Sequence, residues 1–372
     1  MVDVPSRAEF DAVKLQSMAN TSQIVILHDR LDGLELLLEA HLTEVPPVVV
    51  PPPEPPPVGS RDVTVWPFTS TSAWNMPIGS GAQFGSDAGL PPAGSVNARF
   101  WSHPIYIAKV TDPLVRVWRY SNSNDRDSDD NRYPDRTKLT MGIINIPEGY
   151  KPAEPDIFTA QYSDSHMHVI DPTHTEVFEM FGTRPQADGS IRVTAQYTGS
   201  LYGDGVGDFR GAWQGTRAYG GSALSGLIRE WDLEQGRIPH ALAAAIGGQF
   251  LVGGPVWPAT IQDSFWRTGY SGTIPMGAMF AIPSTTRPDG LTPQGIMIWN
   301  ALCEFGMFIT DTGGPYTTLY AEPKLDSRID GIRTDWPKIR PYLRRVTNVS
   351  VDNVGGGGTP IVPMAPALVG EF

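Results

Sequence analysis

Short runs in which apolar and polar positions alternate recur through the middle of the chain. PIYIAKV, VRVWRY, MGIINIP, HMHVID, EVFEMF, IRVTAQY and AMFAIP are rich in β-branched and aromatic residues and separated by turn-forming ones. Period-two alternation in such short runs predicts strands. Two stretches keep a helical period instead. In SALSGLIREWDLEQG (222–236), Leu224, Leu227, Ile228 and Trp231 share one face, with Ser222 placed as N-cap and Gly236 as the stop. In TPQGIMIWNALCEFG (292–306), Thr292 caps, Pro293 takes the first helical position and Gly306 ends the run. The expectation is a mainly β head, a β-sandwich or jelly-roll-like sheet pair with two buttressing helices.

The ends of the chain follow other rules. From Phe10 to Leu42 there is no proline, and Ile24, Leu27, Leu31, Leu34 and Leu38 mark a heptad seam with Phe10 and Val13 in phase upstream. Leu36, Leu37 and Leu42 widen that face, which suits three strands better than two. Residues 1–45 are therefore expected to be an α-helical coiled coil that makes a homotrimer. Residues 46–62 are proline-rich and predict an extended spacer, because proline fixes φ and lacks a backbone donor. The head is expected over 63–346, and the Gly/Pro-rich residues 347–372 as a flexible or extended arm.

Charge narrows the partners. A net charge of −12 argues against nucleic acid and anionic membrane surfaces, and no apolar run is long enough to span a bilayer. The N-terminal residues lack the basic and apolar regions of a signal peptide, so the chain is expected to fold in a cytoplasm. The single cysteine, Cys303, excludes an intrachain disulfide, and its apolar setting predicts a structural thiol.

The densest chemistry lies in SDSHMHVIDPTHTEVFEMFG (163–182), which reads as strand, turn and strand. Alternation puts His166 and His168 on one face. Such a pair can donate two ligands to a metal, with a third from elsewhere. No glutamate follows within a few residues, the nearest being Glu176 beyond the turn, and no cysteine ligand is present, so no metal is expected. Asp164, His166, Glu179, His240 and Asp311 form the candidate acid–base set, since burial tunes carboxylates and imidazoles toward neutral pH. For each of them alone, a hydrogen-bonded structural role is the competing reading. Trp74, Trp101, Trp213 and Trp257 are candidate platforms for sugar rings. Calcium is conceivable at the acidic stretch 121–135 or at Asp204 and Asp208, although neither has the pattern of a calcium loop. Phosphate-binding loops and a nucleophile elbow are absent, which removes nucleotide-driven and serine-hydrolase chemistry.

With SDSHMHVIDPTHTEVFEMF, SALSGLIREWDLEQGRIPHAL, VWPA, IPMGAMFAIP and GLTPQGIMIWNALCEFGMFITDTGG in this order, the head resembles a family of secreted actinobacterial proteins. In that family the motifs recur around Asp-x-His, Tyr/Phe-Glu and His-Ala-Leu. The resemblance implies weight for Asp164 with His166, for Phe178 with Glu179, and for His240, and it leaves His168 incidental. The layout of coiled coil, proline spacer, β-rich head and Gly-rich end is similar to minor tail proteins or tail fibres of phages that infect actinobacteria. That likeness implies a trimeric virion protein, held by other tail proteins and recognising a host cell-envelope glycan. It also implies that lysis rather than secretion releases the protein. An enzyme that cleaves the envelope polysaccharide, and a purely structural virion decoration, are the alternatives.

Overall fold

Most alternating runs form strands where the pattern puts them. The computed structural model describes residues 61–87, 89–120, 138–154, 164–207, 215–283 and 286–371. The predicted coiled coil and nearly all of the proline spacer lie outside them. In chain order the first strands are β1 (Ala93–Asn97), β2 (Ile105–Ile107), β3 (Leu114–Tyr120), β4 (Lys138–Asn145), β5 (Met167–Ile170), β6 (Glu176–Phe181), β7 (Arg184–Pro185), β8 (Ile191–Arg192) and β9 (Ala195–Ser200). There follow β10 (Leu242–Ile246), β11 (Leu251–Val252), β12 (Ile274–Pro275), β13 (Met279–Ala281), β14 (Met307–Thr312), β15 (Thr317–Tyr320) and β16 (Arg344–Arg345). The fold is mainly β.

Two four-stranded sheets, ordered β2-β5-β6-β9 and β4-β3-β8-β7, share one apolar core. Met167, Val169 and Met180 from the first meet Val117, Ile144 and Ile191 from the second. Each such side chain removed from water contributes about 1.5–3 kcal/mol. A six-stranded mixed sheet, ordered β1-β15-β10-β14-β13-β16, organises the larger core. Its central strand β10 reads LAAAI and is buried at every position. It therefore lacks the alternation by which half-buried strands are recognised in sequence.

Four helices, not two, are present among the described residues: α1 (Glu230–Gln235), α2 (Trp266–Gly269), α3 (Pro293–Glu304) and α4 (Asp330–Ile339). Helix α3 matches expectation, and the Thr292 hydroxyl accepts from the Gly295 amide at 3.0 Å. The helix predicted over 222–236 is corrected to its last six residues. Gly226 has φ of 64°, and a Cβ there would lie 2.4 Å from the Ala243 nitrogen, so the chain must pass β10 as irregular backbone. Ser222 therefore caps nothing, whereas Gly236 ends α1 in the left-handed conformation as expected. Helix α4 went unforeseen because Pro337 lies inside it.

The Gly/Pro-rich end does not stand apart from the head. Its backbone pairs with the head's 78–82 segment: the Gly79 amide donates to Gly355 at 2.9 Å, and the Ile361 amide to Ile78 at 2.9 Å. Near the terminus the Glu371 carboxylate accepts from the Ser70 amide at 2.6 Å. Consecutive glycines from Gly355 to Gly358 all adopt positive φ, which lets this backbone lie close against residues 77–82. No helix among the described residues is long and apolar enough to cross a membrane.

Candidate active site

The open end of the β5–β6 hairpin carries the first functional groups. His168 lies directly opposite Glu179, so the two side chains share a face. Beyond the paired residues the Gly182 amide donates to the Asp164 carbonyl at 2.8 Å and the Thr183 amide to the Ser165 carbonyl at 3.1 Å. Ser165 turns with φ of 38°. These ties hold Asp164 and His166 at the mouth of the hairpin, with His166 Nε2 4.0 Å from Asp164 Oδ2. A third imidazole arrives from another segment. The His168 amide donates to the Pro104 carbonyl at 3.0 Å, and this seats His103 beside the hairpin just before β2. His103 Nδ1 and His168 Nε2 are 3.0 Å apart, and the His103 and His166 ring centres are 4.5 Å apart.

The facing wall is the six-stranded sheet. Ser95 and Asn97 of β1, Thr318 and Tyr320 of β15, Ala245 of β10 and Asp311 of β14 line a cavity of about 480 Å³ together with His103, Asp164 and His166. Between β10 and β14 the register slips: Ala244 pairs with Ile309 but Ala245 pairs with Asp311. The extra residue, Thr310, is a β-bulge that places both Asp311 and Thr312 at the cleft. A second hollow of about 390 Å³ shares Asp164, His166, Asp311 and Thr312 and continues past Tyr197, Asp263 and Phe265. The two form one groove with these four residues at its waist. Trp101 and Tyr316 stand at its rim, 46% and 51% exposed.

Burial dominates the electrostatics. It pushes the Asp311 carboxyl well above the usual carboxylate range, aided by the neighbouring Asp263 and Asp164 carboxylates and opposed by Arg217. It also holds His103 and His168 well below the ordinary imidazole value, with Arg217 and the other histidines acting in the same direction. Arg217 is fully buried, its guanidinium 4.1 Å from the centre of the Tyr320 ring. Beneath the histidines, Glu179 accepts from the Thr216 amide (2.9 Å), the Thr216 hydroxyl (3.2 Å), the Ala223 amide (2.9 Å) and the Ser222 hydroxyl. It ties down both ends of the segment that carries Arg217. The groove therefore combines a carboxyl that favours its protonated form, a carboxylate–imidazole pair and neutral imidazoles, a set suited to proton transfer.

Of the five candidate acid–base residues, Asp164, His166 and Asp311 meet in the groove. Glu179 does not reach it; with no exposed surface it positions the 216–223 segment. His240 lies elsewhere: its Nδ1 bonds the Ala241 carbonyl at 2.9 Å and its Nε2 faces Asp232 at 3.3 Å. His168, expected to be incidental, is instead fully buried as a member of the histidine cluster. Sequence reasoning missed His103, Tyr320 and Arg217. A histidine immediately before the predicted strand PIYIAKV was the available signal for the first.

The tryptophans divide. Trp101 borders the groove, but Trp74 is 1% exposed with its ring edge-on to Tyr219 and Phe308, so it belongs to the core. Trp257 packs edge-on against Phe308 and does not line the groove. Trp213, Asp208 and the acidic stretch 121–135 lie outside the described residues. Asp204 accepts from the Val206 amide at 3.0 Å in an ordinary turn. Burial pushes the half-buried Cys303 thiol up to about 12, in keeping with an unreactive group.

Comparison with known proteins adds no neighbour: no family model, curated protein or solved structure matches this chain.

Proposed function

We propose that the groove is the active site of a glycan-cleaving enzyme, a glycoside hydrolase or lyase acting on cell-envelope polysaccharide. The observation that carries this reading is the meeting of Asp164, His166 and Asp311, from separate segments, at the waist of one groove. Asp311 serves as proton donor because burial and its carboxylate neighbours keep it protonated at higher pH than a free carboxyl. Asp164, held beside His166, takes a proton from water or from the sugar. Trp101 and Tyr316 offer aromatic surface to pyranose rings at the rim. The paired four-stranded sheets, read as the sandwich-like part of the head, are the scaffold for the hairpin end.

In this reading the enzyme is carried by a phage minor tail protein or tail fibre, trimeric through residues 1–45 and joined to other virion tail proteins. Trimerisation would give three grooves on one stalk and raise the apparent affinity for a repetitive glycan. A recognition head without catalysis is the second reading, favoured by the same exposed Trp101 and Tyr316. Soluble saccharide released from purified actinobacterial envelope polysaccharide separates the two. Release by wild type that is lost in Asp311→Asn supports the enzyme. Pelleting on the polysaccharide with no release supports the recognition head. Light scattering tests the trimer, and a monomeric full-length chain removes it.

A further inference from the structure

We propose that His103, His166 and His168 bind one first-row divalent transition metal ion, zinc foremost, at the floor of the groove. One donor atom from each of the three lies within 4.8 Å of the other two, and His103 Nδ1 and His168 Nε2 are 3.0 Å apart. Nitrogens bound to tetrahedral zinc at about 2.0–2.1 Å sit roughly 3.4 Å from one another. Ring rotations that shift donor atoms by about 1 Å therefore close the site without moving the backbone. The backbone is already fixed: β2 pairs with β5, Ile105 is in register with His168, and the His166 carbonyl accepts from the Ala153 amide at 2.8 Å.

The surroundings of the histidines point the same way. A metal-bound imidazole usually directs its other nitrogen at a carboxylate or carbonyl, which sets the tautomer. His168 has Nε2 toward His103 and Nδ1 4.0 Å from Glu179 Oε2. That Nδ1 is fully buried and makes no hydrogen bond among the described residues, an arrangement proteins seldom leave uncompensated. With Nε2 on a metal, Nδ1 carries the proton and points it at a carboxylate that four donors hold in place. His166 repeats the pattern with Asp164 at 4.0 Å.

His103 and His166 also line the cavity, so a remaining coordination position opens into the groove, as in catalytic rather than structural zinc sites. The Arg217 cation nearby is offset by the carboxyl groups of Glu179 and Asp164, 4.0 Å from His168 and His166 respectively. Imidazole donors suit zinc, copper, nickel or iron, and they disfavour calcium, which takes oxygen ligands.

This deepens the catalytic reading by adding a Lewis acid to the groove, and it rests on that reading only for the metal's use. The test is a titration of the full-length chain, stripped with chelator, with Zn²⁺ and with Co²⁺. The expected result is one equivalent per chain, with visible ligand-field absorption of tetrahedral, nitrogen-bound cobalt. His166→Gln and His103→Gln should each weaken binding by at least about tenfold, while His174→Ala, in the hairpin turn, leaves it unchanged. Uptake below half an equivalent by wild type overturns the site, as does an affinity equal to that of wild type in both glutamine variants. If a variant fails to fold, as read by circular dichroism, wild-type stoichiometry and cobalt absorption decide alone; uptake without the tetrahedral spectrum overturns the site. Saccharide release, measured in parallel, keeps the two readings separate. Stoichiometric metal without release upholds the site and removes the catalytic reading. Full release by a chain that takes up no metal does the reverse.

Discussion

Glu179→Gln tests how the groove is held open. Glu179 has no exposed surface, yet both of its oxygens are occupied as acceptors by the amides of Thr216 and Ala223 and the hydroxyls of Thr216 and Ser222. Two effects compete on this carboxyl. Burial raises its pKa, and the bonds from Ser222, Ala223 and Thr216 lower it, with a net upward shift. The contact pattern favours the ionised form, since every neighbour donates and a protonated oxygen would waste an acceptor position. A glutamine keeps the volume but turns one acceptor oxygen into an NH₂ group. In either amide orientation one backbone N–H then faces a donor in a buried site, at a cost of about 1–3 kcal/mol. The remaining bonds lose the strength that ionisation lends them, roughly half. The expected loss is about 2–5 kcal/mol, read as a lower urea midpoint for the full-length chain at unchanged slope. Loosening the 216–223 segment should also move Arg217, whose charge opposes the rise in the Asp311 pKa. The upper limb of any pH–activity profile should therefore shift to higher pH. A loss below about 1 kcal/mol, or a gain, would refute the reasoning and show that Glu179 is protonated in the fold.

Other expectations follow from the same contacts. Asp311→Asn should cut saccharide release by at least about a hundredfold, and wild-type release should fall as pH rises through the elevated Asp311 pKa, because the proton donor is lost. The same variant should gain stability over wild type as pH rises. A raised folded-state pKa means the native chain binds more protons than the unfolded one above about pH 4, so the aspartate costs stability there. An Asn variant that shows no such gain in thermal melts removes the assignment. His240 titrates the other way round in origin: burial lowers its pKa, but Asp232 outweighs burial and holds it above the ordinary imidazole value. Its stabilisation is full below about pH 6.5 and lost as pH rises through the folded value, so the melting difference between wild type and His240→Gln should shrink from pH 6 to pH 9. Trp74→Ala should cost about 3–5 kcal/mol in urea unfolding, since it empties a packed core. Trp101→Ala should leave stability within about 0.5 kcal/mol while weakening polysaccharide pelleting, and equal pelleting would remove it from the groove's binding surface.

Much of the fold was legible from local pattern. EVFEMF forms the strand Glu176–Phe181 at its predicted limits, and Thr292, Pro293 and Gly306 bracket the longest described helix as their chemistry requires. Those signals are local, since they depend on period, caps and turns within about fifteen residues. They failed where environment overrides period. LAAAI is buried on every side and shows no alternation, and 222–229 has a helical period but passes too close to β10 to coil. The same distinction runs through the candidate site. Asp164 and His166 stood out as near neighbours beside a predicted hairpin, and Asp311 as a carboxylate at a strand end. That Asp311 enters their groove depends on a one-residue slip against β10. That His103 completes a histidine cluster depends on the parallel pairing of β2 with β5, across more than sixty residues of chain. Residue types and their spacing along one strand are properties of the sequence. Which distant side chains share a groove, which of them lose water, and so which carboxyl keeps its proton, are decided by tertiary packing, because desolvation acts only once the chain has folded.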